Sequence, residues 1–395
     1  MSKVTYIDEI DITNKHVLLR VDFNVSLSSD KLTISDDIRI QQALPTINYL
    51  LKNGNRLILV SHLDRPKGRD PKLSLKIVAD HLQSLLPNYK IILINDFLAA
   101  DDQKRIETQT NNEIVMLENI RFYPEEKTND EAFAKKLSSL AEIYVNDAFG
   151  VSHRADASIV GVPKYLPSYL GLLFKKEILM ISKAIDNPEK PVVAIIGGAK
   201  ISTKINLLGR LMDLADYLLI GGGLANTFFC SEGFGIGQSF CELAETENAK
   251  KILAMAKEKK TEIVLPTDVV IGDPNNNQNG GEVMKVEKIK NGSILDIGPE
   301  TQAKFGAIIN QAKTIIWNGP VGYIENPAFR RGTDFIYYTI AQNSQAISIV
   351  GGGDTLAAIS KKEYLDKITH VSTGGGAMLE FIEKGTLPGI EAIEK

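Results

Sequence analysis

The chain has 395 residues, 44% of them hydrophobic, with 45 Lys and Arg against 49 Asp and Glu for a formal net charge of −4. These proportions exclude a disordered chain, and the small acidic excess argues against a nucleic-acid binder, whose phosphate affinity comes from a surplus of basic side chains on one face. At about 150 residues per domain, the length predicts two domains, each able to bury its own core.

The opening stretch, Met1-Ser2-Lys3-Val4-Thr5-Tyr6-Ile7-Asp8, lacks the apolar centre of a secretory leader. No later apolar run approaches the roughly 18 residues of a membrane span, so a cytoplasmic protein without membrane attachment is expected. The two cysteines, Cys230 and Cys241, have no CxxC spacing and imply neither a disulfide framework nor a zinc site.

In chain order, apolar runs of strand length fall at 17–21, 57–60, 91–94, 114–117 and 143–145, then at 192–196, 217–220, 263–265, 315–317, 347–350 and 368–371. Continuous Val, Ile and Leu suit strands buried on both faces, as in a parallel sheet. Amphipathic stretches such as 75–82 and 248–255 lie between them, apolar at helical spacing. The alternation predicts a doubly wound α/β architecture, in which ligands sit beyond the carboxyl ends of the strands. Residues 171–183 read as one helix, ended by Asp186-Asn187-Pro188, and the domain junction is expected around residues 171–191.

The halves differ in what they place at those strand ends. Eight of the eleven arginines lie in the first 154 residues, whereas 28 of the 31 glycines lie beyond residue 160. Guanidinium groups form rigid forks for carboxylate and phosphate, and glycines let backbone amides approach a phosphate at a strand-to-helix turn. An anion cage followed by a nucleotide cradle is expected.

In the first half, Arg20-Val21-Asp22-Phe23-Asn24 closes the first strand, and alternation is expected to send Asp22 and Asn24 to one side. Asp36-Asp37-Ile38-Arg39 opens the next helix. Later strands end in Ser61-His62-Leu63-Asp64-Arg65-Pro66, Leu117-Glu118-Asn119-Ile120-Arg121-Phe122 and Asn146-Asp147-Ala148-Phe149-Gly150-Val151-Ser152-His153-Arg154. Together the four strand ends deliver four arginines toward one edge, a set suited to a small molecule carrying both phosphate and carboxylate. His62, beside an arginine at a strand end, is assigned to the ligand; His153 is left open.

In the second half, Gly197-Gly198-Ala199-Lys200-Ile201-Ser202-Thr203-Lys204 reads as a glycine turn and then a helix. Lys200 and Lys204, four apart, are expected on one helix face near its positive end. Gly221-Gly222-Gly223, Trp317-Asn318-Gly319-Pro320, Gly351-Gly352-Gly353-Asp354-Thr355 and Ser372-Thr373-Gly374-Gly375-Gly376 complete five such turns after strands. Neither GxxxxGK[ST] nor GxGxxG after a strand occurs. In the fourth turn, amides can hold phosphate oxygens while Asp354 holds Mg²⁺. The polar segment 273–281 reads as a surface loop without a chemical role.

Seven of these motifs, from Arg20–Val25 to Ser372–Ala377, stand in the order of the phosphoglycerate kinase family, and essentially the whole chain resembles it. The resemblance implies two Rossmann-like parallel-sheet domains joined by a hinge helix: 1–172 binding phosphoglycerate, 173–378 binding nucleotide, and 379–395 packing back on the first. It implies a monomeric glycolytic enzyme that moves a phosphoryl group reversibly between MgATP and the carboxylate of 3-phosphoglycerate. By matching motif, Asp22, Phe23, Asn24, Arg39, His62, Leu63, Asp64, Arg65, Arg121 and Arg154 would bind phosphoglycerate. Lys204, Asn318, Glu325, Gly352, Gly353, Asp354 and Thr355 would bind nucleotide, with Asp354 at the metal. Arg39, Lys200, Gly375 and Gly376 would stabilise the group in transfer, and the two domains would close over both ligands.

The chain departs from the commonest pattern at Ser26 for proline, Asp64 for glycine, Asp156 for histidine, Thr203 for aspartate and Met378 for serine. A carboxylate aimed into an anion site opposes binding by several kcal/mol at an effective dielectric of about 20. The Asp64 side chain is therefore expected to face solvent or a nearby cation, leaving its backbone at the site. Two rival readings are an NAD-dependent dehydrogenase, opposed by the missing GxGxxG and acidic partner, and a non-catalytic sensor of nucleotide and sugar phosphate.

Overall fold

The computed structural model describes residues 4–28, 30–275, 281–359 and 362–394. It contains two compact units, one running to Ile178 and resumed from Thr386, the other from Leu179 to Gly385. Among the described residues no helix is long and apolar enough to cross a membrane.

The first unit is built on a six-stranded sheet ordered Lys90–Ile94, Glu113–Leu117, Arg56–Val60, His16–Arg20, Ile143–Asn146 and Ser168–Leu170. Every pairing is parallel. Val17, Leu18 and Leu19 are fully buried, which is why this strand reads as a continuous apolar run. The helix Ile38–Lys52 lays Ile40, Ala43, Ile47, Leu50 and Leu51 in the same core, at helical spacing. Truncating one of these Ile or Leu side chains to alanine costs about 2–5 kcal/mol. Growth of the sheet reverses between His16–Arg20 and Ile143–Asn146, where Arg20 stands opposite Asn146. A crevice opens beyond strand ends at such a reversal.

The second unit repeats the principle with strands Glu262–Val264, Tyr217–Ile220, Val192–Ile196, Thr314–Asn318, Ile347–Gly351 and His370–Ser372, all parallel. Here the reversal lies between Val192–Ile196 and Thr314–Asn318, with Ile196 opposite Asn318. A three-stranded antiparallel sheet, Glu282–Lys285, Asp268–Gly272 and Ser293–Ile297, adds a wall absent from the strand expectations above. Ser168–Leu170 and the ribbon Ser26–Leu27 with Ile34–Asp36 were likewise not anticipated.

The chain passes from the first unit to the second inside the helix Leu172–Ile185. Asp147 fixes the start of that helix: its Oδ1 accepts from the Leu173 and Phe174 amides at 3.0 and 3.2 Å. Gly171 has no room for a side chain, because a Cβ there would stand 2.1 Å from the same oxygen. The expected division at 172/173 falls at the beginning of this helix. That at 378/379 falls within Gly375–Lys384, whose Phe381 and Ile382 stay buried, so the return to the first unit starts at Thr386. Part of the 273–281 loop, residues 276–280, lies outside the described residues.

Candidate active site

In the first unit, the loop after His16–Arg20 meets the turns after Arg56–Val60 and Glu113–Leu117. Asp22, nearly buried, accepts from Arg39 Nη1 at 2.6 Å. Asn24 Oδ1 accepts from the Asp64 amide at 2.7 Å, and Arg121 Nη1 donates to the Asp64 carbonyl at 2.8 Å. Asp64 thus offers its backbone to the cluster while its exposed carboxylate lies 3.6 Å from Lys31 Nζ, as expected from the sequence. Its φ of 55° is left-handed, a conformation that glycine adopts freely and aspartate tolerates better than most residues.

His62 is buried with Arg20, Arg121, Arg154 and Arg39 around it. Burial, reinforced by those cations, holds its imidazole well below the ordinary histidine range, so it is neutral near pH 7. Arg20 Nη2 lies 3.4 Å from His62 Nδ1. A guanidinium only donates, so Nδ1 accepts and Nε2 keeps the proton. Arg20 is itself fully buried and donates through Nε to Ser158 Oγ at 2.8 Å. Ser158 Oγ in turn donates to the buried Glu126 carboxylate at 2.5 Å. Burial pushes Glu126 up to about 6, and pushes Arg121 down to about 10 with help from Arg154 and Arg20.

Two expectations change here. The strand ends at Arg20, so Asp22 and Asn24 are gathered by a loop rather than by pleat alternation. Phe23 and Leu63 bury their side chains in the core and bring only main-chain atoms near the cluster. Arg65 is exposed and Arg154 half-buried, and neither forms an ion pair among the described residues. Arg20, one of the four arginines expected at strand ends, was given no site role, and Ser158 and Glu126 carry no local signal in the sequence.

In the second unit, Lys204 Nζ donates at 2.8 Å both to the Gly197 carbonyl and to Asn318 Oδ1. Asn318 Nδ2 donates to the Gly351 carbonyl at 2.7 Å, tying three neighbouring strand ends together. A Cβ on Gly197 would stand 2.1 Å from the Pro320 carbonyl oxygen, so bare backbone is required there. Gly352 has φ 116°, accessible to glycine, and precedes the short helix Gly353–Ala358. Gly375 and Gly376 begin the helix Gly375–Lys384.

Lys200 and Lys204 do not share a helix face. Residues 201–204 form turns and the helix runs Ile205–Leu211, leaving Lys200 exposed and Lys204 half-buried. Burial pushes the Lys204 ammonium down to about 8, although Asp354 opposes this. Thr355 is fully buried, and its hydroxyl accepts from the Gly319 amide at 2.7 Å and donates to the Gly351 carbonyl at 2.9 Å, so it braces the turn from within.

Beside these turns lies a cavity of about 310 Å³, lined by Gly198, Gly222 and Gly223 on one side, by Phe229, Phe240, Leu295 and Val321 on apolar walls, and by Glu325 and Asp354. One wall is the antiparallel sheet. An apolar slot beside glycine turns and two exposed carboxylates suits an aromatic base with a phosphate tail.

One doubly wound α/β unit thus carries a cluster of arginines around a buried histidine, and the other a glycine-lined cavity. The family model for phosphoglycerate kinase matches residues 7–385. A phosphoglycerate kinase of Dictyoglomus turgidum is 46% identical over 397 residues, covering all of both chains, and the cytosolic phosphoglycerate kinase 3 of Arabidopsis thaliana is 44% identical over 98% of this chain and 97% of its own. The solved phosphoglycerate kinase of Coxiella burnetii superposes with a TM-score of 0.85 at 37% identity, covering 99% of each chain. That of Pyrococcus horikoshii gives 0.86 at 29% identity, over 99% of this chain and 98% of its own. The chain belongs to the phosphoglycerate kinase family, and it is a phosphotransferase of glycolysis.

Proposed function

We propose that the arginine cluster of the first unit holds 3-phosphoglycerate, and that the glycine-lined cavity of the second holds ATP or ADP. The observation that supports this most is the convergence of Arg20, Arg39, Arg121 and Arg154 around a neutral, buried His62. Arg121 keeps Nε and Nη2 without hydrogen-bond partners there. Buried donors in that state favour an anion rich in oxygen acceptors. Asp22 and Arg39, Asn24 and Asp64, His62, Arg65 and Arg154 complete the acceptor site. Lys204, Asn318, Glu325 and Gly352 to Thr355 form the donor site.

The acceptor carboxylate is already ionised at neutral pH, so no general base is needed. Neutral His62 donates a hydrogen bond rather than moving a proton. Arg39 and Lys200 neutralise the charge spread over the transferring group, and the amides at Gly352, Gly353, Gly375 and Gly376 orient its oxygens. Donor and acceptor must meet during turnover, which calls for closure of the two units.

Among the described residues no three His, Cys, Asp or Glu side chains gather as a metal cage. Asp354, exposed at the cavity, fits the other way of holding Mg²⁺, through one carboxylate together with substrate phosphates. The metal would supply charge neutralisation on those phosphates. We also read the enzyme as a cytoplasmic monomer.

The test is a coupled assay of ADP release from ATP, with and without 3-phosphoglycerate and Mg²⁺. Release that requires both supports the reading. Release indifferent to 3-phosphoglycerate, or binding of both ligands without turnover, contradicts it.

A further inference from the structure

Beside His62, two buried side chains of opposite charge stop short of each other. Arg121 and Asp156 are 4% and 7% exposed, and Arg121 Nη2 lies 3.9 Å from Asp156 Oδ2. That is too long for a hydrogen bond, and Asp156 Oδ2, like Arg121 Nε and Nη2, has no hydrogen-bond partner. A buried carboxylate oxygen without a donor is costly, so its retention calls for a reason.

The local fold does not supply one. Asp156 precedes the turn Ala157–Gly161, yet its side chain makes no capping hydrogen bond, and its carbonyl alone takes the Ile159 and Val160 amides. The segment around it is committed to the cationic cluster. Arg154 lies on one side, and Ser158 on the other holds Arg20. At this position the chain therefore carries a negative charge in an anion site.

We propose that Asp156 is a specificity-determining residue of the acceptor site: its buried carboxylate lowers the positive potential around Arg121 and so limits how tightly highly charged anions are held. The inference rests on reading the cluster as the phosphoglycerate site. Without a ligand, Asp156 offsets the mutual repulsion of Arg121, Arg154 and Arg20. With one bound, it repels the ligand, and more strongly as the ligand's charge grows. The balance favours release over retention.

The experiment is titration calorimetry of the full chain and of Asp156→Asn and Asp156→Ser with 3-phosphoglycerate and, separately, with inorganic sulfate, alongside steady-state kinetics. Both variants are expected to bind 3-phosphoglycerate at least about threefold more tightly, the scale of one neighbouring charge discounted for solvent. Sulfate, with less charge, gains less; KM falls and kcat does not rise. Unchanged or weaker 3-phosphoglycerate binding by a folded variant overturns the inference and leaves the site reading intact. Failure of both variants to fold shows that the carboxylate serves the fold, and overturns it too. Absence of 3-phosphoglycerate binding by the unmodified chain, or its survival in Arg121→Gln, overturns the site reading and the inference together.

Discussion

Lys204 and Asn318 are joined by a 2.8 Å hydrogen bond across the point where the second sheet reverses direction. The contact places an ammonium group against strand-end carbonyls, half-removed from water, and burial pulls it down to about 8.

That value gives nucleotide binding a direction in pH. The free protein carries the Lys204 proton below about pH 8 and loses it above, whereas an anionic nucleotide favours the protonated form. Affinity for ADP is expected to fall as pH rises from about 7 to about 9, approaching tenfold per unit at the top of that range. Calorimetry should show proton uptake on binding over the same window. Lys204→Met should bind more weakly and lose the slope; a slope that persists in this variant would assign it to another group.

Asp64 offers a test of geometry against charge. Its left-handed backbone is strained for a residue with a Cβ, and its carboxylate faces Lys31 rather than the cluster. Asp64→Gly is expected to change stability by no more than about 1 kcal/mol, relieved strain being offset by unfolded-chain entropy. Affinity for 3-phosphoglycerate should shift by less than about tenfold. A larger gain would mean that the carboxylate acts on the ligand. Asp64→Val, β-branched, should destabilise by about 1–2 kcal/mol in denaturant unfolding.

Arg39 and Lys200 are assigned to the transition state rather than to ligand retention. Arg39→Ala and Lys200→Ala should each lower kcat about 100-fold or more, with far smaller changes in either KM. Arg39→Ala also strips Asp22 of its 2.6 Å partner, so its stability should be measured in parallel. Changes confined to KM at both positions would remove them from that role.

Asp147 predicts a slope in stability. Burial lifts its carboxyl to about 7, above the value near 4 of an unfolded chain. The folded protein holds the proton more tightly, so this stabilisation is full below about pH 4 and is lost as pH rises through about 7. Asp147→Asn keeps an oxygen for the Leu173 and Phe174 amides. It should flatten that segment of the urea-unfolding profile while costing little at about pH 8. An unaltered profile would place the titration elsewhere.

What the sequence made legible follows from how buried parallel strands are written. Val192–Ile196 is five apolar residues buried throughout, followed by two glycines, a pattern that fits a strand buried on both faces. The antiparallel wall is written differently. Asp268–Gly272 begins with a buried aspartate whose oxygens take the Glu300 and Thr301 amides, and Ser293–Ile297 contains Asp296, so neither is a continuous apolar run. The burial of Arg20 was hidden because Ser158, which makes sense of a buried guanidinium, is 138 residues away. The turn before Ile205 was hidden because Ile-Ser-Thr-Lys is as compatible with a first helical turn as with the loop it forms. Local pattern shows where strands end; it does not show which distant residue arrives there.

The tail of the chain carries one more consequence. The Gly389 amide donates to the Ser152 carbonyl at 2.9 Å, and Leu387 and Ile390 are buried, within the unit whose sheet is otherwise complete by Leu170. Domains emerging from the ribosome generally fold in order of synthesis, yet this one must wait for its last buried residues until the intervening two hundred or so have been translated. A nascent chain stalled before Thr386 would therefore display a first unit that is assembled but unsealed.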